Sequence, residues 1–278
     1  MKNLIIRTLT GIAFVALIVA SILVSELMLF AVFLIFTCLG LYEYRTLLKK
    51  NNIELPIAFY ITGLLIYVVV STASLWIFIS NITLMFMLIL TLLLVLFITE
   101  LFSKREQPFL SIAYSILGIL WIVLPFGLIN NLPFWYYKNE YILLSVFIFI
   151  WLYDTFAYCV GMLIGKHRLF ERISPKKSWE GAIGGTVLTL IVAYFAKLLF
   201  PMLPLNSFQW IGLALVIIVF GTLGDLIESM FKRQLSVKDS GTILPGHGGV
   251  LDRFDSILFA MPFVWLYLSI IFGRLPVI

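Results

Sequence analysis

Charge is scarce in this sequence. Asp, Glu, Lys and Arg make up 12% of its 278 residues, about half of what a soluble domain carries. Cysteine is nearly absent: Cys38 and Cys159 could form one bridge at most, which excludes a disulfide scaffold. Both lie inside apolar runs and read as small apolar residues. The 62% hydrophobic content excludes a disordered chain. A water-soluble body of this size could not hide so much apolar surface. The surplus must face lipid.

Nine apolar runs carry that surplus: 8–24, 27–47, 57–79, 82–102, 109–130, 141–164, 180–200, 207–228 and 257–274. Each approaches the roughly 20 residues needed to cross a bilayer as a helix. The expected fold is therefore all-α, a polytopic integral membrane protein with about nine transmembrane helices. Only Ser25 and Glu26 divide the first two runs. Lys2 and Arg7 precede the first run as they would a signal peptide. Its length, and the absence of a small-residue cleavage site, favour a retained span.

The basic residues support this count. Sixteen of the nineteen fall at the N-terminus and in the even-numbered connections, two (Lys138 and Arg274) on the other side, and Lys197 near a span end. Basic residues favour the cytoplasmic face, so the N-terminus is expected inside and the C-terminus outside, in the inner, cytoplasmic membrane. The net charge of +5 then needs no nucleic acid partner. Lys49 and Lys50 are orientation charges, and Trp135-Tyr136-Tyr137 reads as an interfacial belt.

Polar residues and glycines crowd into 150–256. Residues 1–140 are expected to be transmembrane packing helices, with room for homodimer contacts. Residues 141–278 form the expected catalytic region, with cytoplasmic loops 165–179 and 229–256. Ionisable groups at membrane depth cost several kcal/mol unless paired or hydrated. Glu43 and Glu100, at the ends of early spans, are expected to pair with Lys or Arg at the interface. Asp225 and Glu228 are three apart and share a helix face. Asp252 and Asp255 repeat that spacing at the start of the last span. Two antiparallel spans would bring these carboxylates to one depth, where a hard divalent cation such as Mg²⁺ relieves their repulsion.

Lys232, Arg233, Lys238 and Arg253 are interleaved with Asp239, Asp252 and Asp255 in a single connection. Within it, Gly246-His247-Gly248-Gly249 supplies a turn whose N–H groups could approach phosphate. A second basic loop, Lys176-Lys177-Ser178-Trp179-Glu180-Gly181, ends where a span begins, a natural anion site. Gly161-x-x-x-Gly165 and Gly181-x-x-x-Gly185 read as helix-packing positions. His167 reads as a surface loop residue. Metal-assisted phosphate chemistry at the cytoplasmic interface is as far as spacing and charge reach.

The stretch from Ser229 through Lys232-Arg233, Lys238-Asp239-Ser240-Gly241 and Leu244-Pro245-Gly246-His247-Gly248-Gly249 to Asp252-Arg253-Phe254-Asp255 closely resembles the signature of the phosphatidate cytidylyltransferase (CDP-diacylglycerol synthase) family. Gly224-Asp225, Asp154-Thr155 and the Lys176–Gly181 run are similar to the same family. The resemblance implies transfer of CMP from CTP to phosphatidate in the bilayer, for phospholipid biosynthesis. It implies Mg²⁺, beside a second cation such as K⁺. On that footing Asp225 and Asp252 are the leading metal ligands, with Asp255 next and Glu228 or Asp239 as alternatives. Lys232, Arg233, Lys238 and Arg253 are expected to contact phosphate. Lys176, Lys177, Ser178, His247, Gly248 and Gly249 are expected to bind nucleotide or lipid phosphate. A secondary transporter and a CTP-dependent lipid kinase are the rivals. Product analysis separates them: pyrophosphate for the transferase, CDP for the kinase, neither for a transporter.

Overall fold

The computed structural model describes residues 2–74, 81–135, 140–243, 246 and 248–272. His247, Leu244, Pro245, Lys138 and Arg274 lie outside the described residues. The helices are α1 (Lys2–Val24), α2 (Glu26–Lys49), α3 (Ile57–Ser71), α4 (Ile82–Leu101), α5 (Pro108–Gly118), α6 (Leu124–Trp135), α7 (Tyr141–Ile164), α8 (Trp179–Leu199), α9 (Ser207–Gln234) and α10 (Leu251–Ile271). Among the described residues, seven helical stretches are long and apolar enough to cross a membrane, and Thr8–Val24 and Ile57–Ser71 are shorter apolar helices. These fall on the nine apolar runs, so the protein is a polytopic α-helical membrane protein. The third run, expected to reach 79, ends its described helix at Ser71, and 75–80 lie outside the described residues.

Local chemistry accounts for the helix boundaries. Ser25 leaves the helical backbone (φ −167°, ψ 155°) and its side chain accepts the Met28 N–H at 3.1 Å. That cap, with Glu26 in the first turn, splits the first two runs. α5 and α6 form one rod joined by a π-helical turn, Ile119–Val123. Pro125 follows directly. Its ring cannot supply the N–H that would bond the Trp121 carbonyl, and a wider turn makes room for it.

The chain divides into two units. The first comprises 1–135 and 239–254. Its core is an aromatic cluster: the Phe254 ring lies 4.8 Å from Phe36 and 5.0 Å from Phe126. Some of the polar side chains buried there pair with one another or with backbone: Asn130 donates to Tyr67 and Ser71, and Asn131 donates to the Val70 carbonyl. α4 buries only Leu96 and Glu100.

The second unit comprises 136–238 and 255–277. Here α7 and α8 pack closely, and the two small-residue motifs lie in the crossing. A Cβ on Gly185 would come within 2.8 Å of the Ala157 backbone, in keeping with the packing role expected of these glycines. The expected loop 165–179 is a two-stranded antiparallel hairpin, β1 (Arg168–Phe170) and β2 (Ser174–Ser178). The expected loop 229–256 is also shorter than its sequence bounds. α9 runs on to Gln234 and α10 starts at Leu251, so Asp252 and Asp255 are helical. Charged residues hid both extensions from a hydropathy count.

Candidate active site

In the second unit, α9 and α10 approach so closely at Gly224 that a Cβ there would stand 2.5 Å from the Asp255 carbonyl oxygen. No side chain but hydrogen permits that crossing. It brings Asp255 within electrostatic reach of Asp225, Asp154 and Lys177. Lys177, from β2, forms an ion pair with Asp225. Ser229 donates to Asp225 Oδ1 at 3.3 Å, and the Ser256 N–H donates to Asp255 Oδ1 at 2.7 Å. Three acids around one lysine leave a net negative charge. Their oxygens are hard donors, and two carboxylates plus substrate phosphates are a usual ligand set for Mg²⁺. Among the described residues no group of three or more His, Cys, Asp or Glu side chains is placed to hold a metal ion.

Beside these residues lies a cleft of about 520 Å³. Arg168, Lys176, Lys177, Ser178 and Asp154 form its polar part, while Ala157, Tyr158 and Met162 form an apolar wall. Tyr158 and Met162 are exposed, 67% and 69%, on a helix long and apolar enough to cross a membrane, so that wall reaches the outer surface of the protein. The basic pair Lys176 and Lys177 is thus brought together with Asp154 and Asp225. Ser178 is buried and caps α8, accepting the Gly181 N–H at 3.1 Å. Glu180 accepts the backbone N–H groups of Lys166 and His167 and pairs with the His167 ring at 2.6 Å. His167, expected as a plain surface residue, therefore ties the hairpin to α8.

Other basic residues are placed differently. Lys232 is buried against Glu228 at 2.6 Å, one helical turn away. Arg233 donates to the Val237 carbonyl at the end of α9. Lys238 is exposed.

In the first unit, Asp252 is held by the signature loop. Its Oδ2 accepts the N–H groups of Ser240 (2.8 Å) and Gly249 (2.7 Å) and lies 3.0 Å from Ser240 Oγ. Gly248 has φ +83°, and a Cβ on it would meet that same carboxylate. The turn glycines thus make room for protein carboxylates, and the Gly249 N–H, read from sequence as a phosphate donor, is directed at Asp252. Arg253 is exposed.

Glu43 was expected to pair with Lys or Arg. Instead it is buried at 2% exposure and accepts the N–H groups of Val250 and Leu251 and the Ser240 hydroxyl. The one available signal was negative: Leu39, Gly40, Thr46 and Leu47 occupy its helical neighbours, so no intrahelical ion pair was on offer. Glu100 does pair with Arg105, at 2.8 Å. Tyr153, whose hydroxyl receives a hydrogen bond from Thr222 at 2.9 Å, also lines the cleft. Sequence reasoning missed it, because only adjacency to Asp154 marks it.

Residues 5–271 match the cytidylyltransferase family. The chain is 36% identical over 264 residues to a protein of Staphylococcus haemolyticus named phosphatidate cytidylyltransferase, covering 92% of this chain and 96% of that one. A Staphylococcus aureus protein of the same name is 38% identical over 266 residues, with the same coverage. A match of that extent takes in every carboxylate and lysine of the cleft, and the chain belongs to the cytidylyltransferase family, as a polytopic membrane nucleotidyltransferase.

Proposed function

We propose that this protein transfers CMP from CTP to phosphatidate at the cytoplasmic face of the inner membrane, giving CDP-diacylglycerol and pyrophosphate. The observation that carries the reading is the cleft of the second unit, where a basic, acid-flanked end adjoins an exposed apolar wall. Such a cleft suits a substrate with a phosphate head and two acyl chains. The relatives' shared name agrees with it.

In the reaction a phosphatidate oxygen forms a bond to the α-phosphorus of CTP while the bond to the bridging oxygen of the β-phosphate breaks. Both reactants are anions, so charge is the main obstacle. Arg168, Lys176 and Lys177 would hold and orient the phosphates in the cleft. Phosphatidate is already sufficiently deprotonated to attack, so no strong general base is needed. Asp225 and Asp255 would hold a divalent cation; for Asp252, the family resemblance is what supports a metal-ligand role. When bound, Mg²⁺ would draw charge from the phosphoryl oxygens.

The test is incubation of the purified protein with phosphatidate, Mg²⁺ and CTP labelled at the α-phosphate. Label should pass into lipid, and pyrophosphate should appear. Label confined to free nucleotide would sink the reading. A short-chain phosphatidate should also react, with weaker apparent affinity, because each buried CH₂ contributes about 0.8 kcal/mol. Equal affinity for short and long chains in matched micelles would argue against lateral access from lipid.

Orientation has its own test. Single cysteines in the 166–177 hairpin or at 235–243, in a background lacking Cys38 and Cys159, should resist an impermeant thiol reagent in intact cells. Ready labelling from outside would reverse the proposed topology.

A further inference from the structure

Glu43 stands on α2, about two hundred positions before the loop it touches, and it is almost wholly buried. A buried carboxylate is costly unless hydrogen bonds satisfy it. Those bonds are specific. Oε1 accepts the Val250 N–H at 2.8 Å, and Oε2 accepts the Leu251 N–H at 3.0 Å. These are among the first donors of α10, which have no partner within their own helix. Glu43 thus serves α10 as a capping acid supplied by a different helix, favourably placed for the helix dipole.

The same carboxylate reaches Ser240, whose hydroxyl lies 3.1 Å from Glu43 Oε2 and 3.0 Å from Asp252 Oδ2. Ser240 and Gly249 also hold Asp252 through their N–H groups. A Cβ on Gly241 would stand 2.7 Å from Glu43 Oε1, and one on Gly249 would meet Glu43 Oε2. Two glycines of the signature therefore leave the space that Glu43 fills.

We propose that Glu43 is a positioning residue for the transfer reaction. It fixes the end of the signature loop and the start of α10, and so sets where Asp252 presents its carboxylate. It touches neither substrate nor cation itself. This rests on the reading of the protein as a cytidylyltransferase in which Asp252 acts. The contrasting case is Glu100, a carboxylate 3% exposed that is held by Arg105, Ser103 and Ser111, none of them in the signature loop.

The test uses the full-length protein with Glu43→Gln, and Glu100→Gln as the control. Glutamine keeps the shape but turns an NH₂ toward backbone donors. Per folded molecule, Glu43→Gln should lower kcat by about 10²-fold and raise the half-saturating Mg²⁺ concentration about tenfold. The KM for CTP should move little. Glu100→Gln should lower thermal stability and leave kcat unchanged. In an Asp252→Glu background, Glu43→Gln should add little, because both act through one loop. Normal kcat and Mg²⁺ dependence in folded Glu43→Gln, or a loss that adds in full to that of Asp252→Glu, would overturn the proposal. Amide exchange supplies a readout independent of catalysis. The amides of Ser240 and of residues 249–252 should exchange faster in Glu43→Gln and not in Glu100→Gln; unchanged exchange also overturns it. If wild-type protein transfers no label to lipid, the functional reading fails by itself, and the exchange result still decides whether Glu43 holds the loop.

Discussion

Asp225→Asn should abolish transfer while leaving the protein inserted and folded. The expected loss in turnover is about a thousandfold, the equivalent of several kcal/mol, if Asp225 holds the proposed divalent cation. Its pair with Lys177 is no stability device: both side chains are about a quarter to a third exposed, and such pairs are worth about 0–1 kcal/mol. Asp225 also stands beside Asp255 and near Asp154. Removing one of several like charges relieves repulsion. Thermal stability in detergent without Mg²⁺ should therefore be unchanged or raised, opposite in sign to the change in activity. Residues kept at such a disadvantage mark functional sites. Near-normal turnover in correctly inserted Asp225→Asn would remove this residue from the reaction.

Asp252 should be intolerant in a different way. Asp252→Asn removes the charge, and Asp252→Glu retains it but displaces the oxygens by about a bond length, which Mg²⁺ would tolerate poorly at its 2.0–2.1 Å octahedral distances if Asp252 is one of its ligands, as proposed. The structure adds a steric reason. The carboxylate fills the space that a Cβ on Gly248 would need and receives the N–H groups of Ser240 and Gly249. An extra methylene has no room there. Both substitutions should lower transfer by about 100-fold or more, as loss of a metal ligand or its support does. Asp252→Glu should recover in part at high metal concentration or with Mn²⁺. Measuring label transfer across a metal titration checks this, and a mild effect of both variants would leave catalysis to Asp255, Glu228 or Asp239.

Much of the architecture was legible because membrane insertion is governed locally. An apolar run of about 20 residues is a helix in lipid whatever its neighbours do, and the basic residues between runs independently give the same count. The Gly161 and Gly181 motifs could be read for the same reason: small residues four apart lie on one helix face. The resemblance around 224–255 pointed to the cytidylyltransferase family, which the family match over residues 5–271 bears out.

What the sequence could not show is which distant groups meet. Glu43 and Val250 are 207 positions apart, and nothing in the local pattern of α2 distinguishes an interfacial acid from one that caps another helix. Lys177 looked like one of five basic residues on a loop. The fold of the hairpin selects it for Asp225, and only the crossing at Gly224 brings Asp255 beside that pair. The signature glycines looked like phosphate cradles, because a missing side chain is compatible with any close neighbour; tertiary packing shows that the neighbours are Glu43, Ser240 and Asp252. Hydropathy and positive charge are properties of a segment, so the sequence alone settles spans and fold class. Hydrogen bonds and ion pairs depend on a few tenths of an ångström between segments, so the partners of Glu43, Asp252 and Asp225 were decided by the tertiary structure alone.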